Sequence, residues 1–446
     1  MKKVAHWLVI FVVAGLVTAL SGCSVPNMVF SPEELYALPE LPAKYTELNS
    51  QINEILADGA EYAAPTTGTN IQPVQLMDLD GDGRQEAVAF FRKTSDEKPL
   101  KICIFTATED NYERTDLIEG SGTGISSIAY EDLDQDGRME LVVGWKVAAE
   151  LQVLEVYSRS SGEMKSLVST NYVKYITADM DQNQKEELIV LRADAEGGSI
   201  ADYYRWQKDG TLVPQKPARI SVTMAELSQQ GRVSDGRIQE GTPALFVTGV
   251  TDVPMAITDV LALRNGELTN IALSEHTGVS AEISPFCGLY PADINGDGLI
   301  EVPRPVLMET QNNAGQIVEW YGYDQNGSVA PVLQTCHNAV DGWYYRMPLE
   351  WENRVRVERT SVSGDPMAMF YVREDGEPFL RITAYSGSSR EIRAVQGNQF
   401  LLSRQPETLY AAELLEANED WEYGVTADQV REAFNLILSD WTTGNN

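Results

Sequence analysis

A nine-residue acidic stretch recurs four times in this chain, and each copy runs into an apolar segment. The first is Asp78-Leu79-Asp80-Gly81-Asp82-Gly83-Arg84-Gln85-Glu86, followed by Ala87-Val88-Ala89-Phe90-Phe91. It sets acids at positions 1, 3, 5 and 9. The second has Asp132, Asp134, Asp136 and Glu140 before Leu141-Val142-Val143. The third has Asp179, Asp181, Asn183 and Glu187 before Leu188-Ile189-Val190, and the fourth has Asp293, Asn295, Asp297 and Glu301 before Val302. A chain that repeats one loop-to-strand unit is constrained to a repeat architecture, since each unit must bury its apolar face on a neighbour.

The spacing suits a hard cation. Calcium takes six to eight oxygens at roughly 2.3–2.6 Å, and side chains at alternate positions of a tight loop converge on one point. The carbonyl of position 7 (Arg84, Arg138, Lys185, Leu299) would add an oxygen, and the acid at position 9 would close the shell. Gly83, Gly137 and Gly298 stand at position 6, where a sharp turn calls for positive φ. An EF-hand would place its closing Glu at position 12 and continue into a helix, so these are not EF-hands. The alternative is a set of metal-free Asp/Gly turns between strands. Their common acid pattern favours calcium. The third copy departs most, with Asn183 at position 5 and Gln184 in place of glycine.

The formal net charge of −32 argues against nucleic acid as a partner, because phosphate binding needs a basic surface. Fourteen carboxylates at ligand positions account for part of that charge, and bound cations would offset some of it. A length of 446 residues and 43% hydrophobic composition indicate a globular protein of two or three domains.

The first residues read as a targeting segment. Lys2 and Lys3 precede an apolar run from Trp7 to Leu20, short of the ~20 residues a membrane span needs. The run ends in Leu20-Ser21-Gly22-Cys23, which resembles the lipobox of bacterial lipoproteins. That resemblance implies a signal peptide over 1–22, a lipidated Cys23, and an extracytoplasmic chain anchored to a bacterial membrane. An ordinary secretory signal is the alternative. Of the remaining cysteines, Cys103 lies in an apolar run and reads as a buried small hydrophobe. A Cys287–Cys336 bridge is left open.

Residues 23–69 read as a proline-bearing tether followed by an amphipathic helix near 43–57, with Tyr45, Leu48, Ile52, Ile55 and Leu56 on one face packed on the next domain. From residue 70 a repeat of ~50 residues takes over. The strands after the loops begin near Ala87, Leu141, Leu188 and Glu301, and the last gap is double. The strand Ala244–Gly249 fills it, with Ser234-Asp235-Gly236-Arg237 keeping a turn but lacking the ligand set. Each repeat carries a further strand ending at a Gly turn, as in Tyr203-Tyr204-Arg205-Trp206 before Gly210. Four antiparallel strands per repeat describe a propeller blade. The Asp-x-Asp-x-Asp-Gly-x-x-Glu loop before an apolar strand resembles the FG-GAP/VCBS-type repeat of calcium-binding β-propellers. The resemblance implies a mainly β, propeller-type fold over 70–337; the repeats of this chain give about five four-stranded blades, fewer than the seven common in that family, in a closed, distorted or partly open ring, with Gln72–Met77 helping to close it.

Past residue 338 the period stops. Residues 338–446 read as a small α+β domain, with Asp375-Gly376 marking a hairpin and Leu409 to Leu415 open between strand and helix. A last helix is capped by Thr426 and Gln429 and carries Val430, Phe434, Ile437 and Trp441 on one face. The aromatic–Pro–Trp opening and this final helix are similar to PsbP-like domains.

Catalytic signals are sparse. His276 and His337 are the only histidines past the targeting segment, and Cys336-His337 adjacency is no evidence of a dyad. Trp145, Tyr204, Trp206, Trp320 and Tyr321 fit either a sugar-binding face or core between blades, with core favoured. Two functions follow. One is a calcium-stabilised binding or scaffold module at the cell envelope, with an envelope protein or glycan as partner. The other is a calcium-dependent glycan-processing enzyme on the same ring. A third reading gives the function to the C-terminal domain, presented by the propeller.

Overall fold

A computed structural model describes residues 43–437, apart from 109–110, 150, 160–161, 275, 307–315, 363 and 373–375. The targeting segment, Cys23, Asp375 and Trp441 lie outside the described residues. No helix among the described residues is long and apolar enough to cross a membrane.

The protein is mainly β, and its strands gather into six antiparallel sheets in chain order. The second sheet shows the plan: Gly124–Glu131, Glu140–Lys146, Gln152–Ser158 and Lys165–Tyr172 pair in sequence as a meander. The third repeats it with Lys174–Ala178, Glu187–Ala193, Ser199–Trp206 and Leu212–Pro214. In the first, second and third sheets the acidic loop joins the first meander strand to the second. The second strands are apolar without alternation because both faces are covered. Ala87 through Phe91 are wholly buried, as are Leu188 through Leu191.

Packing runs serially from sheet to sheet. Val88, Phe90 and Ile102 of the first sheet meet Leu141, Val143 and Trp145 of the second. Val142 and Val156 then meet Leu188 and Val190. Ile189 and Leu191 meet Leu245 and Val247, and Phe246 and Val260 meet Val302 and Tyr323. Each fully buried Leu, Val or Phe contributes about 1.5–3 kcal/mol. The first sheet's other face is covered by helix Ala43–Ala57, whose Leu48 and Ile52 pack on Ala87, Ala89 and Phe91. Among the described residues no core cluster joins the first sheet to the sixth.

Several expectations are corrected. Val74–Met77, expected to help close a ring, pairs with Glu86–Ala89 as the first sheet's own strand. In the fourth sheet, Ser234-Asp235-Gly236-Arg237 is strand; the turn lies at Gln239–Gly241, where Glu240 and Gly241 have positive φ. The boundary expected at 337/338 falls inside strand Val329–Asn338, which pairs onward with Trp343–Met347. Residues 338–446 then supply a sixth sheet of five strands between Val355 and Leu414, with Thr408–Leu414 as strand. The expected last helix covers only Ala427–Ala433, with its capping box intact. Phe434–Leu436 is instead an edge strand on Trp343–Tyr345, because Phe434 buries beside Trp343. Cys103, Cys287 and Cys336 are all free thiols, so the open bridge is not made.

Candidate functional site

The four acidic loops share one internal hydrogen-bond plan. The position-1 Asp accepts from the backbone N–H of position 6 at 3.0 Å (Gly83), 3.0 Å (Gly137), 3.0 Å (Gln184) and 2.8 Å (Gly298). Position 5 accepts from the N–H of position 7 at 2.8, 2.9, 2.7 and 2.8 Å. The position-9 Glu turns inward and accepts from the N–H of position 2: Leu79 at 2.9 Å, Leu133 at 3.0 Å, Met180 at 3.1 Å and Ile294 at 3.2 Å. This plan bends the backbone twice. Position 6 has positive φ in every loop, Gln184 included, and so does position 4 (Gly81, Gln135, Gln182, Gly296). Three glutamines thus adopt a left-handed conformation that costs about 1–2 kcal/mol each.

Glu86, Glu140, Glu187 and Glu301 are all at most 2% exposed. Burial raises the carboxyl of Glu86 and pushes those of Glu140, Glu187 and Glu301 up to about 7, against the backbone N–H bonds that lower them. A buried carboxyl surrounded by further acids gains from a nearby cation.

Three loops gather carboxylates with ligand atoms within 4.8 Å of one another: Asp78, Asp80 and Glu86; Asp132, Asp134 and Asp136; Asp179, Asp181 and Glu187. Each offers oxygen donors only, which fits calcium rather than a softer ion. The fourth loop, with Asn295 at position 3, does not gather three carboxylates this closely. There Asn295 Nδ2 donates to Asp297 at 2.9 Å. Asp82 stands outside the first triplet and pairs with the exposed guanidinium of Arg84 at 2.6 Å. Lys185 reaches the neighbouring loop, 3.9 Å from Asp134. Arg138 donates to the Arg159 carbonyl at 3.5 Å, and Asn183 Nδ2 lies 3.5 Å from Glu187. In the fourth loop the Leu299 N–H donates to Asp297 at 2.8 Å.

Neighbouring loops also touch, which motif spacing does not reveal. Met139 N–H donates to the Leu79 carbonyl at 2.9 Å, and Glu186 N–H to the Leu133 carbonyl at 2.8 Å. Both bonds run from position 8 of one loop to position 2 of the loop before it. Ile300 N–H donates to Arg237 of the loop-less fourth sheet at 2.8 Å. Gly236 admits this approach, since a Cβ there would lie 2.3 Å from the Ile300 side chain.

Most of the other candidates are buried or half-buried. Trp145 and Tyr204 are buried between sheets, and Trp320 is buried between its own sheet and Ile294 of the fourth acidic loop. Trp206 and Tyr321 are half-buried; the first donates to the Glu186 carbonyl at 3.0 Å and the second stacks under Arg304. His276 is exposed. His337 and Cys336 are both buried as consecutive strand residues, and His337 stacks on Tyr344.

Residues 78–143, from the first loop to the strand after the second, match the family model of the FG-GAP-like repeat. No curated protein matches the chain. Among solved structures, the chain is similar to a protein from Lactobacillus plantarum at 12% identity and TM-score 0.28, covering 70% of this chain and 84% of that one. It is similar to the rhamnogalacturonan lyase YesW at 12% identity and TM-score 0.32, covering 79% and 74%.

Proposed function

We propose that this protein is a membrane-anchored extracytoplasmic lipoprotein whose repeat sheets form a calcium-stabilised, propeller-type binding or scaffold module at the cell envelope. The observation that carries the reading is the acidic loop built four times on one hydrogen-bond plan, each with a buried Glu at position 9. A binding function needs a rigid surface, and the loops staple the first two strands of successive sheets. Oxygen ligands from the Asp and Glu side chains would hold the ion, whose charge offsets the carboxylates. An ion that binds only the folded state adds about 2.7 kcal/mol per site at 100 times its dissociation constant. Anchoring rests on the Leu20-Ser21-Gly22-Cys23 motif. The test is thermal unfolding of the mature chain in calcium and in chelator. A large, reversible rise in melting temperature with calcium is expected, and equal melting in the two conditions overturns the stabilising role.

A further inference from the structure

The third loop has the weakest motif, yet strand Ser199–Trp206 brings it two polar side chains, Tyr203 and Arg205. Tyr203 is fully buried and pairs across from Ile189. Its hydroxyl faces Glu187, with Asp181 and Arg205 close by, but makes no hydrogen bond of good geometry. Asp181 gives Oδ2 to the Arg205 guanidinium, while its Oδ1 is buried and also without a hydrogen bond. Leaving a buried polar group unsatisfied is costly, and here two such oxygens belong to one cluster. In the first and second sheets the position equivalent to Tyr203 is apolar: Ile104 opposite Val88 and Val156 opposite Val142. In the fifth it is Trp320, whose Nε1 donates to Thr335 at 2.8 Å. A buried hydroxyl at this register is therefore particular to the third repeat; in the second, Ser158 at the end of the equivalent strand reaches Glu140. Charge points the same way. Asp179, Asp181 and Glu187 carry three negative charges when ionised, and Arg205 returns one. The remaining two match one divalent cation.

We propose that strand Ser199–Trp206 completes a calcium site in the third loop. Asp181 binds the ion through Oδ1. Arg205 holds Asp181 by its other oxygen, and the Tyr203 hydroxyl positions Glu187 and water in the ion's shell. These groups from outside the loop make up for Asn183 and Gln184. The inference rests on the calcium reading above, and the variants separate the two.

The test is calcium titration calorimetry of the mature chain and of Tyr203→Phe, Asp181→Asn and Asp78→Asn, with melting in chelator to check folding. Tyr203→Phe is expected to weaken one site by about tenfold or more, as loss of an outer-shell partner does, while melting no lower than wild type in chelator. Asp181→Asn should lower the number of ions bound by one. If Asp78→Asn loses a site while Tyr203→Phe and Asp181→Asn both titrate as wild type, the third-loop proposal is overturned and the calcium reading stands. A wild-type chain that takes up no calcium overturns both.

Discussion

The backbone N–H of Met139 donates to the carbonyl of Leu79 at 2.9 Å, joining the second acidic loop to the first. Gly81 lies in the same contact. A Cβ on it would come 2.4 Å from the Gly137 carbonyl oxygen, whereas a Cβ on Gly83 would meet nothing within 4 Å. Both glycines have positive φ. Gly83→Ala should therefore cost only the left-handed penalty, about 1–2 kcal/mol. Gly81→Ala should cost clearly more and weaken calcium binding in both loops. Denaturant unfolding in chelator and calcium titration measure the two effects; equal losses for the two variants would refute the packing account.

Glu140 is a buried carboxyl that burial pushes up to about 7. Gln keeps its shape and can still accept from the Leu133 N–H. In chelator at neutral pH, Glu140→Gln should melt at or above the wild-type temperature, because a costly buried charge is gone. In calcium it should lose one site's share, on the order of 2.7 kcal/mol at 100 times the dissociation constant. A variant less stable than wild type in chelator, with the same gain from calcium, would show that Glu140 is only a packing residue.

His337 gives the core an acid-sensitive point. It is 4% exposed, lies with Nδ1 2.8 Å from Thr335 Oγ1 and stacks on Tyr344. Burial pushes its pKa down to about 4 from 6.5. The unfolded chain then binds the proton first. The contribution of neutral His337 is complete above pH 6.5 and is lost as pH falls towards 4, on the order of 3 kcal/mol in all. The difference in unfolding free energy between wild type and His337→Phe, followed from pH 7 to pH 4 in chelator, should fall across that window. A pH-independent difference would rule it out.

Cys23 is the proposed anchor. Several acyl chains on one residue give stable membrane attachment where one chain does not. Cys23→Ser should shift the protein from the membrane fraction to the soluble extracytoplasmic fraction without changing the melting of the mature domain. Retention of Cys23→Ser in the membrane fraction would remove the anchor from the reading.

Much of the local structure was legible. Helix Ala43–Ala57, the apolar second strands, the hairpins and the Thr426–Gln429 cap follow from spacing and capping chemistry within a few residues. The loss of the acid loop in the fourth repeat was legible too, though its turn was set too early, in residues that are strand. Phe434 was misplaced because its spacing from Val430 fits a helix equally well. Its partner, Trp343, lies far away in sequence and draws it into an edge strand.

By itself, the sequence determined where the acidic loops stand and what they are made of, because a cation-type loop is specified by alternate acids and turn residues within nine positions. Only the tertiary structure decided which loops touch, that position 4 bends as sharply as position 6, and that Tyr203 and Arg205 lie against the third loop. Those relations depend on strand register and on the packing of one sheet against the next. They join residues whose separation along the chain carries no period.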